Sequence, residues 1–165
     1  MIRALGLVPL PREGGWYRET HRSSERVAAA ALPARFQHER SFATAIHYLL
    51  TPETCSRVHR LPADELYFFH DGDPVRVLLL HPDGSDEEVV LGTALDRGQR
   101  TQCVVPAGSW QGSVLEPGGA WGLLGVVVTP GFEFADYEEP ADPAALLERH
   151  PARRALIERL MLPQS

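Results

Sequence analysis

Through the middle of the chain, apolar residues come in short bursts cut by Gly or Pro about every ten positions, and many bursts alternate apolar with polar. That spacing predicts strands over 15–22, 43–50, 57–61, 65–70, 74–80, 87–91, 102–105, 110–115 and 121–128. Turn chemistry separates most of them: Asp71-Gly72-Asp73-Pro74, Pro82-Asp83-Gly84, Pro106-Ala107-Gly108 and Pro117-Gly118-Gly119. Asp83-Gly84 is the clearest hairpin, because Gly accepts the positive φ that tight hairpin turns need. The runs at 46–50 and 123–128 are largely apolar at consecutive positions, so both of their faces are expected to be covered. Many short strands, punctuated this regularly, make an all-β sandwich or barrel.

Only the tail reads as helix. Asp142-Pro143 supplies a capping carboxylate and a Pro at the first helical position, and Leu146 and Leu147 follow as an apolar face. His150 precedes Pro151, which biases it away from the α region. A break is therefore expected there, followed by a second short helix over 151–160 with Ala155, Leu156 and Leu160 at helical spacing, packed on the outside of the sandwich. Residues 23–40, where Arg and Ala mix, read as a loop or short helix. No repeat, heptad or low-complexity stretch occurs.

Length and charge narrow the class. At 165 residues one hydrophobic core suffices, and a 44% apolar fraction beside 23% charged residues is ordinary globular usage. No run approaches the roughly 20 apolar residues that span a bilayer. The opening MIRALGLVPLPREGG is broken by Pro and charge before a signal-peptide core forms, so a cytoplasmic location is expected and no membrane association. All 16 basic residues are Arg, Lys and Asn are absent, and the net charge is -6. Scattered Arg on an acidic chain is not the basic stripe that nucleic acid requires, so no nucleic-acid partner is expected. Cys55 and Cys103 lie far apart in sequence, outside any C-x-x-C pair, and are expected to be reduced and buried.

The chemistry concentrates in VHRLPADELYFFHDGDP. In extended chain, residues of equal parity share a face, so His59, Leu61, Glu65, Tyr67 and Phe69 are expected to point into one interior. A His and a Glu converging there make either part of a metal site or a general acid/base pair. In VVPAGSWQGSVL, Gln111 stands three residues beyond Gly108 at the start of a strand. Each of these has a plainer reading. Glu65 is equally a buried carboxylate paired with Arg57 or Arg18, and His59 a core histidine bonded to a carbonyl. Tyr67 and Trp110 supply either packing or ligand stacking. His70, Asp71 and Asp73 suit turn and interface chemistry, Arg18 and Glu19 either a pocket mouth or cross-strand pairs, and Glu133 either a pocket cap or a solvated side chain.

These residues resemble the cupin superfamily, whose motifs are G-x5-H-x-H-x3-4-E-x6-G and G-x5-P-x-G-x2-H-x3-N. His59, Glu65 and Gly72 match the first, with Leu61 in place of its second His and the leading Gly missing; Pro106 and Gly108 match the second, with Gln111 in place of its His and the closing Asn absent. In PREGGWYRETHRS, TAIHYLLTP, VHRLPADELYFFHDGDP, VVPAGSWQ and VTPGFEFADYE the chain is similar to the cupin 5 group, formerly a domain of unknown function. The resemblance implies an all-β double-stranded β-helix (jelly-roll) barrel over about 5–138, a helical tail over 142–162 within one domain, an interior small-molecule pocket, and a homodimer.

Three functions follow from it as expectations. The first is an epimerase- or isomerase-type enzyme acting by proton transfer on a small polar, sugar-like metabolite. His59 or Glu65 would be the base, Tyr67 the acid, and Arg18, His70, Trp110, Gln111 and Glu133 would contact the ligand. The second is an oxygenase or lyase holding divalent Mn, Fe, Ni or Zn on His59, Glu65 and Gln111, with Leu61 counting against it. The third is a binding or sensory module without turnover.

Overall fold

Alternation within each strand sorts side chains into an inner and an outer layer, and that sorting builds the molecule. The computed structural model describes residues 1–161. In chain order the elements are α1 (Ile2–Leu5), β1 (Val8–Pro9), β2 (Trp16–Arg22), β3 (Arg26–Val27), β4 (Arg40–Ser41), β5 (Thr44–Leu50), β6 (Cys55–Arg60), β7 (Asp64–Gly72), β8 (Val75–Leu80), β9 (Asp86–Leu91), β10 (Gln102–Val105), β11 (Trp110–Leu115), β12 (Gly122–Thr129), α2 (Pro143–Arg149) and α3 (Arg154–Met161). A six-stranded sheet runs β1-β2-β5-β12-β7-β10 and faces a four-stranded sheet, β6-β11-β8-β9; β3 and β4 pair separately. All pairings within the two main sheets are antiparallel.

The inner layer holds Tyr48 and Leu50 of β5, Tyr67 of β7, Val75, Val77 and Leu79 of β8, Val89 and Leu91 of β9 and Leu124 and Val126 of β12. On the far side of the four-stranded sheet, Cys55, Val58, Leu78, Leu80 and Val114 meet Leu146, Ile157 and Leu160 of the two C-terminal helices. Leu78, Leu79 and Leu80 are all buried because β8 is covered on both faces, one by the barrel interior and one by helix. The six-stranded sheet is covered at one end of its outer face, where α1 and Leu7 pack on Leu49 and Leu123. This accounts for the continuous apolar runs of β5 and β12. Cys55 sits in the outer cluster and Cys103 in the inner one, so no disulfide joins them.

The expected helices form with their predicted cap. Asp142 accepts hydrogen bonds from Ala144 N and Ala145 N at 3.1 and 3.2 Å, and His150 breaks the chain between α2 and α3. Two expectations differ. Residues 151–153 form a 3-10 turn, which resets the phase of α3, so Ile157 and Leu160 are buried while Ala155 is exposed. The helix α1 at the other end was not expected; four residues are too few for periodicity to reveal. The expected tail reached residue 162, which lies outside the described residues. Residues 23–40 become β3, a 3-10 turn at Ala29–Ala31, and the start of β4. Among the described residues no helix is long and apolar enough to cross a membrane.

Because α3 is the outer wall of the four-stranded sheet, Ile157→Ala is expected to destabilise the whole domain by about 2–5 kcal/mol, the range for emptying a buried aliphatic site. Urea unfolding followed by tryptophan fluorescence checks this; a loss under about 1 kcal/mol would mean the helix is a dispensable appendage.

Candidate functional site

The site begins with an irregularity in β6. Gln111 pairs with His59 and Ser113 with Ser56, so Arg57 and Val58 together oppose Gly112. This extra residue is a β-bulge, and it shifts the alternation by one position. Ser56 and His59 therefore both point inward although they differ in parity, while Cys55 and Val58 point outward to the helices. A Cβ at Gly112 would meet both Leu160 and the Ser56 carbonyl at 3.0 Å, so the bulge and the helix contact both need this position to be small.

Gln111 ties the two sheets together. Its side-chain NH2 donates to Glu65 Oε2 of β7 and lies 3.3 Å from His59 Nε2. His59 Nδ1–H donates to the Arg57 carbonyl at 2.7 Å, which leaves Nε2 with the lone pair that the Gln111 amide faces. Burial lowers the basicity of this imidazole, opposed by the neighbouring Glu65. The ring also stacks on Tyr137, centroids 5.0 Å apart.

A second carboxylate arrives from outside the strands. Between Leu10 and Gly15 the chain turns tightly, with Gly14 N bonded to Leu10 O and Leu10 N to Gly15 O. Gly15 has φ +69°, and a Cβ there would strike the Tyr48 hydroxyl at 2.6 Å. The turn drops Glu13 inward: Ser56 Oγ donates to its Oε1 at 2.7 Å, and its Oε2 lies 4.0 Å from His59 Nε2. Glu13 is the residue that sequence reasoning missed. Parity propagates along strands and not through turns, and the one signal was a carboxylate beside Gly14-Gly15 before an aromatic strand.

Neither carboxylate has a cation. Burial pushes both Glu13 and Glu65 up to about 7, only partly opposed by the neighbouring Ser56 and Tyr48 hydroxyls for the first, and by His59, Gln111 and Tyr67 for the second. The expected Arg57 or Arg18 partner for Glu65 is therefore replaced by an amide and a phenol. Burial raises the Tyr67 hydroxyl well above the usual phenol range, with Glu65 adding to it.

Glu13 and Glu65 close the buried end of a cavity of about 300 Å³. Tyr48 and Tyr67 flank them, Tyr17, Ile46, Val126, Val128 and Leu61 form the sides, and Phe132, Phe134, Glu19 and Arg22 stand at the open end. His59 and Gln111 are fully buried but do not line this cavity; they lie behind the two carboxylates. A wider outer groove of about 610 Å³ shares Leu61 with the cavity and is walled also by Arg35, Arg40 and Arg60. Its Arg40 and Arg60 are consumed by Asp136 and Glu138.

The other expected ligand contacts fall elsewhere. Arg18 lies between inward-facing Tyr17 and Glu19 on β2, so it points out over His47. His70 also faces out, its ring 6.0 Å from that of His47 in the space left by side-chain-free Gly125. Trp110, adjacent to inward Gln111, turns outward under the Arg60 guanidinium at 4.5 Å. Glu133 does not line the cavity itself but pairs at 3.0 Å with Arg22, which stands at its open end.

His59, Glu65 and Gln111 come together as expected but do not fit a metal. Gln111 presents its amide nitrogen, which has no lone pair to give, and Leu61 packs with Phe36, Ala63 and Val128. Among the described residues no group of three or more His, Cys, Asp or Glu is placed to hold an ion.

A family model described as "Cupin superfamily (DUF985)", Cupin_5, matches residues 1–139. The uncharacterized protein YML079W of Saccharomyces cerevisiae is 30% identical over 135 residues, covering 76% of this chain and 67% of that protein. A hypothetical protein from Leishmania major superposes with a TM-score of 0.81 at 32% identity, covering 96% of this chain and 94% of that one. Protein SO0799 from Shewanella oneidensis gives 0.80 at 34% identity over 98% and 95%.

The buried carboxylates make stability depend on pH. With folded values near 7 against an ordinary 4.5, the folded chain keeps protons that the unfolded chain releases. Stability is therefore full below about pH 4.5, falls as pH rises to about 7, and then levels off. Glu65→Gln keeps an acceptor for Gln111 and removes one such group. At pH 8 it is expected to be more stable than the parent by on the order of 2 kcal/mol, or roughly 4–8 °C in Tm, with no gain at pH 4. Circular dichroism melts across that range check this; an equal gain at both pH values would contradict the burial argument.

Proposed function

The chain belongs to the Cupin_5 family of the cupin superfamily, and from that premise we propose that it binds a small metabolite in the barrel cavity and transfers a proton on it, as epimerases and isomerases do. The observation that carries this reading is the pair of buried carboxylates, Glu13 and Glu65, at the closed end of the cavity with no cation to hold them ionised. A carboxyl group whose proton affinity is raised toward neutrality both takes and returns a proton at physiological pH. Two of them at one end allow one to accept a proton while the other donates.

The roles follow from position. Glu65 and Glu13 touch the ligand and are the catalytic residues; Tyr67 holds Glu65 through its hydroxyl. His59 and Gln111, lying behind the wall, are positioning residues that hold Glu65 and set its proton affinity. The apolar sides narrow the sugar-like expectation to a molecule with one polar end and a less polar body.

The test is exchange of carbon-bound hydrogen in deuterated buffer, followed by proton NMR on a panel of small hydroxy-carbonyl compounds. The parent is expected to exchange the hydrogen next to the carbonyl, and folded Glu65→Gln to lose at least about 100-fold in rate. His59→Ala is expected to retain exchange with its pH profile moved upward, because His59 holds the Glu65 carboxyl down. Undiminished exchange in Glu65→Gln and Glu13→Gln alike, or no exchange on any compound, would sink the proposal.

A further inference from the structure

We infer that the cavity selects an organic amine with an apolar body and rejects anions, since its closed end offers acceptors without a cation and its sides are apolar. This rests on reading the cavity as the ligand site, and not on turnover.

The donors around the two carboxylates are already committed. Ser56 Oγ–H is spent on Glu13, both Gln111 amide hydrogens on Glu65 and His59, the Tyr67 hydroxyl on Glu65, the Tyr48 hydroxyl on the Gly14 carbonyl, and His59 Nδ1–H on the Arg57 carbonyl. At that end the uncommitted carboxylate lone pairs of Glu13 and Glu65 remain, and these are acceptors. A ligand head that brings hydrogens is satisfied there, and one that brings only lone pairs is not.

Charge points the same way. Arg22 is the cation of the cavity wall, and its guanidinium is already held by Glu19, Glu133 and the Phe132 carbonyl. An anion would therefore be a third negative group in a water-poor space, where like charges repel strongly. A protonated amine instead supplies the counterion that Glu13 and Glu65 lack, which favours their ionised forms. Ile46, Val126, Val128, Phe132 and Phe134 then receive the apolar body, and about 300 Å³ sits at the small end of ligand pockets.

Three probes that share one ring and differ in the head test this: benzylamine, benzyl alcohol and benzoate, titrated calorimetrically against the folded chain at pH 7. Benzylamine is expected to bind at least about tenfold tighter than benzyl alcohol, with benzoate weakest, and with protons released on binding. Glu13→Gln/Glu65→Gln, with its fold checked by circular dichroism, is expected to erase the order. Equal binding of the amine and the alcohol would overturn the charge preference while leaving the cavity as a ligand site. Benzoate binding as tightly as benzylamine, or an amine preference surviving in the double variant, would overturn it as well. Binding of none of the three would remove both the preference and the ligand site, independently of any result in the exchange assay.

Discussion

Two carboxylates inside a β-barrel, without a cation between them, are the constraint around which the rest of this molecule is arranged. Leaving Glu13 and Glu65 uncompensated in an apolar interior would cost several kcal/mol each. The protein offsets that cost with neutral donors, the Ser56 hydroxyl, the Gln111 amide and the Tyr67 phenol, and with protons that the carboxyl groups retain toward neutral pH. Gln111 does most of this work because it sits on one sheet and reaches the other, joining Glu65 of β7 to His59 of β6 in a single contact. An arginine in its place would ionise both acids and silence them as proton carriers; a leucine would leave them without a donor.

The chain beyond β12 is held by charge of a different kind. The segment after β12 carries Glu133, Asp136, Glu138 and Glu139, and each meets an arginine from another part of the chain: Arg22, Arg40, Arg60, and Arg12 with Arg57. Most of these pairs are half exposed and individually weak. Arg40 with Asp136 is the exception, since it is buried and two-pronged, at 3.1 and 2.5 Å. Together they lay the segment across the barrel so that Tyr137 stacks on His59 and Phe132 and Phe134 line the cavity.

Much of the fold was legible because strand alternation is a local property. The strand bursts, the Asp83-Gly84 hairpin, the Asp142 cap and the break at His150 each depend on a few neighbouring residues, and each formed where expected. The inward turn of Glu65 and Tyr67 followed from parity along one strand. His59 pointed inward as well, but through a bulge that plain parity did not include. Arg18 and Trp110 stand outside the cavity for the converse reason: each is one position out of phase with an inward neighbour.

Sequence by itself determined the class of the molecule and its family, since periodicity, turn residues and motif spacing are written in consecutive positions. It also determined that a His, a Glu and a Gln would be the polar groups of the interior. Only the tertiary structure decided what they do. The Leu10–Gly15 turn brought Glu13 from outside the strands, the bulge in β6 set Ser56 beside it, and the Gln111 amide faced its nitrogen to both neighbours. Those outcomes depend on groups far apart in the chain meeting in one desolvated space, where proton affinity is set by what surrounds a side chain and not by what precedes it.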